Sequence, residues 1–242
     1  MSNHSSISRF SMHTVSADCK SMARSALLGH LGIAVGSGVT YLLIVLLLQL
    51  VLLQAFPGSG VLSLIFSELM TILLGILAGV LQYGLLCVQL KLQYHQETSL
   101  SDLFLGIREN TNKIVKIYAF LYILQTLCLL PSLLSAYLMT GSQANVLYWV
   151  LLVVGLAVYL YFDLSFFATL YLLLDYPELS AHDALKKSHR LMKHHRLQLF
   201  YLELSFLPLW LLALCSLGIA GIRVFAYRNA SMASFYRKQV EG

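Results

Sequence analysis

"LKKSHRLMKHHRLQLFYLELSFLPLW", from Leu185 to Trp210, changes character at its midpoint. Its first half carries Lys186, Lys187, Arg190, Lys193 and Arg196, together with His189, His194 and His195. Its second half holds one charge, Glu203, among Leu, Phe, Tyr and Trp. A dense cationic stretch set directly against an oily one reads as a chain that lies on a membrane surface and then enters it. The basic side chains meet anionic headgroups and the apolar ones meet hydrocarbon.

The rest of the chain fits that reading. Of 242 residues, 58% are hydrophobic and only 11% are charged, where a soluble domain carries roughly 25%. A globule needs a wet exterior, so the solvent for most of this chain is lipid. About five or six spans of ~20 residues use most of the length. A soluble catalytic domain of ordinary size does not fit in what remains. The net charge of +5 is distributed as flanks of apolar runs, which points to anionic membrane lipids and away from nucleic acid. Other membrane proteins are possible partners. Cys19, Cys87, Cys128 and Cys215 are scattered singly, with no metal spacing, no disulfide framework and no cofactor site to expect.

The apolar runs cover about 31–56, 61–90, 114–139, 146–174 and 197–217, with "PGSG" at Pro57 to Gly60 and "TGSQAN" at Thr140 to Asn145 as turns. In lipid these runs must be helices, because water supplies no partner for the backbone. All 16 Lys and Arg residues lie on alternate connections: before the first run, between the second and third, between the fourth and fifth, and after the fifth. The two turns contain none. Positive-inside bias then places the N-terminus and both long connectors in the cytoplasm. Five crossings would leave the C-terminal cations outside. A marginal sixth helix over 222–238, entered through "LGIAG" at Leu217 to Gly221, brings them back. Carrying Arg223 and Arg228, it cannot face lipid all round. Residues 1–25 read as a polar, largely disordered cytoplasmic lead that begins a helix near Ser21, and 26–242 read as one transmembrane domain.

The two connectors look alike. Ser180 and Ser99 each stand three residues before an acid, Asp183 and Asp102, in the manner of a capping box. Beyond Ser180, Ala181, Ala184, Leu185, Ser188, Leu191 and Met192 share one helical face. His182, Lys186, Lys187, Arg190 and Lys193 share the other. Beyond Ser99, Leu100, Leu103, Phe104 and Ile107 form the stripe. Pro131 and Pro208 follow in the next spans. A duplicated unit and a coincidence between like-sided hairpins account for this equally well.

"LLLDYPELSAHDALKKSHRLMKHHRLQLFYLELSFLPLW" (Leu172 to Trp210), then "LGIAG", then Phe235-Tyr236, resemble the DUF975 family of bacterial integral-membrane proteins, a family of unknown function. Ser188, Leu191-Met192, Leu204-Ser205-Phe206 and Trp210 carry the match, which is specific over Tyr159 to Tyr236. Before that it rests on "SMARSALLGHLG" (Ser21 to Gly32) and on the pattern of spans. His194 replaces a usual glycine, and Ala226-Tyr227 stands where Pro-Tyr is common. The resemblance implies a polytopic helical protein of a Gram-positive plasma membrane and supplies no catalytic residue.

Glu68, Asp163 and Glu203 are the acids inside spans. A carboxylate in hydrocarbon marks an inward face, either as an ion or proton pathway or as a partner for Arg223, Arg228 or a Tyr hydroxyl. Lys186, Lys187, Arg190, Lys193 and Arg196 are the headgroup-binding candidates. His189, His194 and His195 are weak metal candidates without a recognised ligand spacing. Gly75 and Gly79, and the series Gly29, Gly32 and Gly36, have the spacing of close helix packing. The sum is an all-α polytopic transmembrane bundle, five strong spans and a marginal sixth, with cytoplasmic amphipathic connector helices. The first functional reading is a non-enzymatic accessory or interaction protein of the cell envelope. A small secondary transporter using the three acids is the rival, and a membrane enzyme acting on lipid or peptide is a weaker third. Acids facing a shared polar cavity favour transport, and acids each capped by Arg or Tyr favour the accessory role.

Overall fold

Apolar runs of this length have one way to satisfy their backbone, and in the computed structural model each has become helix. The structure describes residues 3–55, 61–138, 142–216 and 219–241. The helices are α1 (Asn3–Leu27), α2 (Leu31–Ala55), α3 (Val61–Gln93), α4 (Leu105–Arg108), α5 (Thr111–Leu138), α6 (Ser142–Phe166) and α7 (Thr169–Asp175). They continue as α8 (Ala181–Met192), α9 (Arg196–Leu204), α10 (Leu207–Cys215) and α11 (Ile219–Glu241). No strand occurs among the described residues. The Pro57 to Gly60 turn, Thr140 and the Leu217-Gly218 start of "LGIAG" lie outside them.

Five stretches are long and apolar enough to cross a membrane: Leu31–Val51, Ile65–Gln93, Thr111–Ala136, Val146–Asp175 and Arg196–Cys215. Their far halves present bare Leu and Val, including Leu47, Leu73, Leu127 and Val153. The buried core sits at the other end, where the basic connectors attach. There Tyr83 and Leu86 of α3, Ile114 and Ile117 of α5, Leu172 and Leu173 of α7, Leu202 of α9 and Phe235 of α11 close on one another, while Val88 of α3 packs with Ala23 of α1 and Ala230 of α11. Gly84 and Gly106 let α3 and the Leu100–Arg108 turn meet backbone to backbone, since a Cβ on either would overlap a carbonyl of the other segment.

Several expectations change. The N-terminal lead is helical from Asn3, and its Ser16, Cys19, Ala23, Ala26 and Leu27 are buried. Small residues every three or four positions give α1 a packing face against α9 and α11 despite its polar composition. Ser142 to Asn145, expected in a turn, already belong to α6. The connector after Ser99 is a 3-10 turn, Leu100–Phe104, followed by the single turn of α4. Asn110, at φ 56, ends it before a surface helix develops. In the other connector a helix starts where the cap was expected: Ser180 Oγ accepts the Asp183 N–H at 3.1 Å at the start of α8. Buried Ser188 then donates to the Ser165 carbonyl at 3.1 Å.

The fifth span is broken at Ser205 and Phe206. Pro208 opens α10 and cannot donate to the carbonyl four residues back. Lys20 of α1 donates to the Ser205 carbonyl at 3.1 Å and lies 4.6 Å from the Phe206 ring centroid. Pro131, by contrast, is accommodated inside an unbroken α5.

Helix α11 is 23 residues long and is not among the five apolar stretches. Its Asn229–Tyr236 stretch is buried, and its last turn is half-exposed. Tyr236 donates to Asp175 Oδ2 at 2.6 Å and stacks on Tyr171, with centroids 4.9 Å apart. Arg237 donates to the Gln93 carbonyl at 2.6 Å, and Lys238 pairs with Asp18 at 2.7 Å.

Candidate functional site

The packed end of the bundle does not close completely where it meets the bare far halves. A partly open cavity of about 280 Å³ remains between α3, α5, α6, α7, α9 and α11. Helical spacing turns a polar stripe of each helix toward it. Tyr118, Tyr122 and Gln125 are successive one-turn neighbours on α5, as are Tyr159, Asp163 and Phe166 on α6. Gln82 enters from α3, Tyr171 from α7, Glu203 from α9, and Arg228 and Asn229 from α11. Gly75 and Gly79 set the α5 tyrosines in place, because a Cβ on either would strike the ring of Tyr122 or Tyr118.

Within the cavity Arg228 grips Glu203 with two donors: Nε reaches Oε2 at 2.8 Å and Nη2 reaches Oε1. Both side chains are about one-third exposed. Asp163 is accessible from the cavity and lies within electrostatic range of both. Three of its lining residues carry a wholly buried polar atom without a partner: the hydroxyls of Tyr118 and Tyr171 and the Asn229 Nδ2. These residues are 6%, 1% and 7% exposed.

Of the three acids in the apolar runs, then, the fold brings Asp163 and Glu203 to one cavity and leaves Glu68 outside it, about four turns from Gln82 along α3. Of the two candidate arginines, Arg228 pairs and Arg223 is exposed elsewhere on α11. The tyrosine and amide members of the site were not singled out from the sequence. Their signal was present as the spacings Tyr118-Tyr122-Gln125 and Tyr159-Asp163, which mark a polar stripe in otherwise apolar helices. The Gly29, Gly32 and Gly36 series makes no close seam; a Cβ on Gly29 or Gly32 meets nothing, and Gly29 instead turns the chain at φ +87.

Lys186, Lys187, Arg190 and Lys193 are exposed along α8. Lys186 and Arg190 face Lys113 and Lys116 across a groove of about 930 Å³ floored by Phe120, Phe166 and Leu185. Arg196 instead covers the Tyr161 ring at 4.5 Å and contacts His189. His195 Nδ1 pairs with Gln198 Oε1 at 3.1 Å. His189 and His194 join no acid or thiol, and no group of three His, Cys, Asp or Glu side chains gathers among the described residues.

No curated protein and no solved structure matches the chain. The family model described as "Protein of unknown function (DUF975)" matches residues 12–241. The chain belongs to the DUF975 family.

Proposed function

We propose that this is a multi-pass protein of the bacterial plasma membrane that holds a small polar solute in its intramembrane cavity, as a small secondary transporter does. One observation carries the reading: a single partly open cavity is lined by two carboxylates, an arginine and the amide side chains of Gln82, Gln125 and Asn229. Asp163 and the one-third exposed Glu203–Arg228 pair are the charged groups a polar solute would meet there. An accessory role in the cell envelope needs no such space. It is the second reading, favoured by the closure of Glu203 by Arg228.

The proposed topology has six crossings, with α11 as the last and both termini in the cytoplasm. Supporting it, the C-terminal turns of α11 bond to Gln93 and Asp175, the ends of two spans, and to Asp18 of α1. The exposed cations of α8, with Lys113 and Lys116 across the groove, suit anionic lipid headgroups.

The test is uptake into proteoliposomes of labelled amines, amino acids, carboxylates and sugars, comparing the native chain with Gln82→Trp, which fills the cavity. Uptake of at least one class, lost in the variant, is expected. No uptake and no binding of any class returns the protein to the accessory reading.

A further inference from the structure

The cavity's charge and lining narrow the solute further, on the footing of the solute-binding reading above. Arg228 spends two donors on Glu203, so the pair cancels and its guanidinium is not free to receive an anion. Asp163 remains, accessible from the cavity and with no cation bound to it. Once ionised, it gives the site one negative charge that no bound cation answers. Around it stand the rings of Tyr118, Tyr122, Tyr159, Phe166, Phe167 and Tyr171. A carboxylate within a wall of aromatic faces is the arrangement that attracts organic cations, the acid by charge and the rings by their quadrupoles. The volume, about 280 Å³, is near the lower end of small-molecule sites at roughly 300 Å³. A bare metal ion would leave most of it unfilled, and no third acid or thiol joins Asp163 and Glu203 among the described residues.

We infer that the cavity takes a small organic ammonium ion, with Asp163 as its counter-charge and the tyrosine and phenylalanine rings as its walls.

The experiment uses the purified full-length protein in detergent, titrated with methylammonium, tetramethylammonium, acetate and glycerol at matched ionic strength. Thermal midpoint and calorimetric binding are the readouts. Both ammonium ions are expected to bind and raise the midpoint, with acetate and glycerol inert. Asp163→Asn is expected to weaken both ammonium ions at least tenfold. Acetate or glycerol binding without ammonium binding overturns the ammonium inference and leaves the solute-binding reading standing. Ammonium binding that is indifferent to Asp163→Asn also overturns the inference. Binding by none of the four removes the inference and turns against the reading beneath it. The comparison among probes on the native chain stands even if a variant does not fold.

Discussion

Glu203 is the residue on which the packed end and the cavity both depend. It sits in an oily segment, and its carboxylate is tolerable there because Arg228 meets it with two hydrogen bonds. Removing one member leaves the other charged and poorly solvated, which costs about 3–5 kcal/mol when burial is complete. With both side chains about one-third exposed, solvation recovers part of that cost. Glu203→Ala is expected to cost about 1–3 kcal/mol, read as a lower thermal midpoint of the detergent-purified protein. Glu203→Gln should cost less, since the amide oxygen still accepts one bond, and exchanging the two charges should restore part of the loss. A Glu203→Ala protein as stable as the native one refutes a structural role for the pair. The acid was legible in the sequence because a charge in hydrocarbon stands out. Its choice of partner was not, because Arg223 and Arg228, five positions apart, point from different faces of one helix. Only the placement of α11 beside α9 selects between them.

Among the elements, α1 departs furthest from its composition. Its inward residues are Ser16, Cys19, Ala23 and Ala26, small enough to escape notice as a hydrophobic stripe, yet all are buried. It is held to the break in the fifth span by Lys20, to Tyr227 by Arg24 and to the end of α11 by Asp18. Burial pushes the Cys19 thiol up from 9.0 to about 11. The folded state thus keeps a proton that the unfolded chain releases, and the contribution is full below about pH 9 and is lost as pH rises through 11. Burial lowers the Lys20 amine, whose contribution runs in the opposite sense. Comparison with Cys19→Ala isolates the thiol. Tryptic cleavage after Lys20 and Arg24 should accelerate between pH 9 and 11, and less so in the variant. Equal acceleration in both proteins excludes the thiol as the cause. The α8 cap at Ser180 was legible because its signal lies within four consecutive residues. The failure of its counterpart after Ser99 to form a surface helix was not, because Asn110 and the backbone contact of Gly106 with α3 decide it.

At the scale of the whole molecule the proposed topology makes a direct demand. Single cysteines at Ser101, His182 and Val240, in a chain whose native cysteines are replaced, should react with an impermeant maleimide only in inverted membrane vesicles. Reaction of the first two from opposite sides dismantles the topology, and reaction of the third alone from outside reduces the crossings to five. Composition and the alternation of charge along the chain were enough to determine an all-helical protein with five apolar stretches able to cross a membrane, since hydrocarbon leaves a backbone no other partner. They were also enough to mark the acids as exceptional. Which acids converge, which arginine answers them, and that tyrosines and amides from five helices surround one cavity were decided by the tertiary structure. The rotation and depth of each helix are set by its neighbours, and a periodic sequence does not contain them.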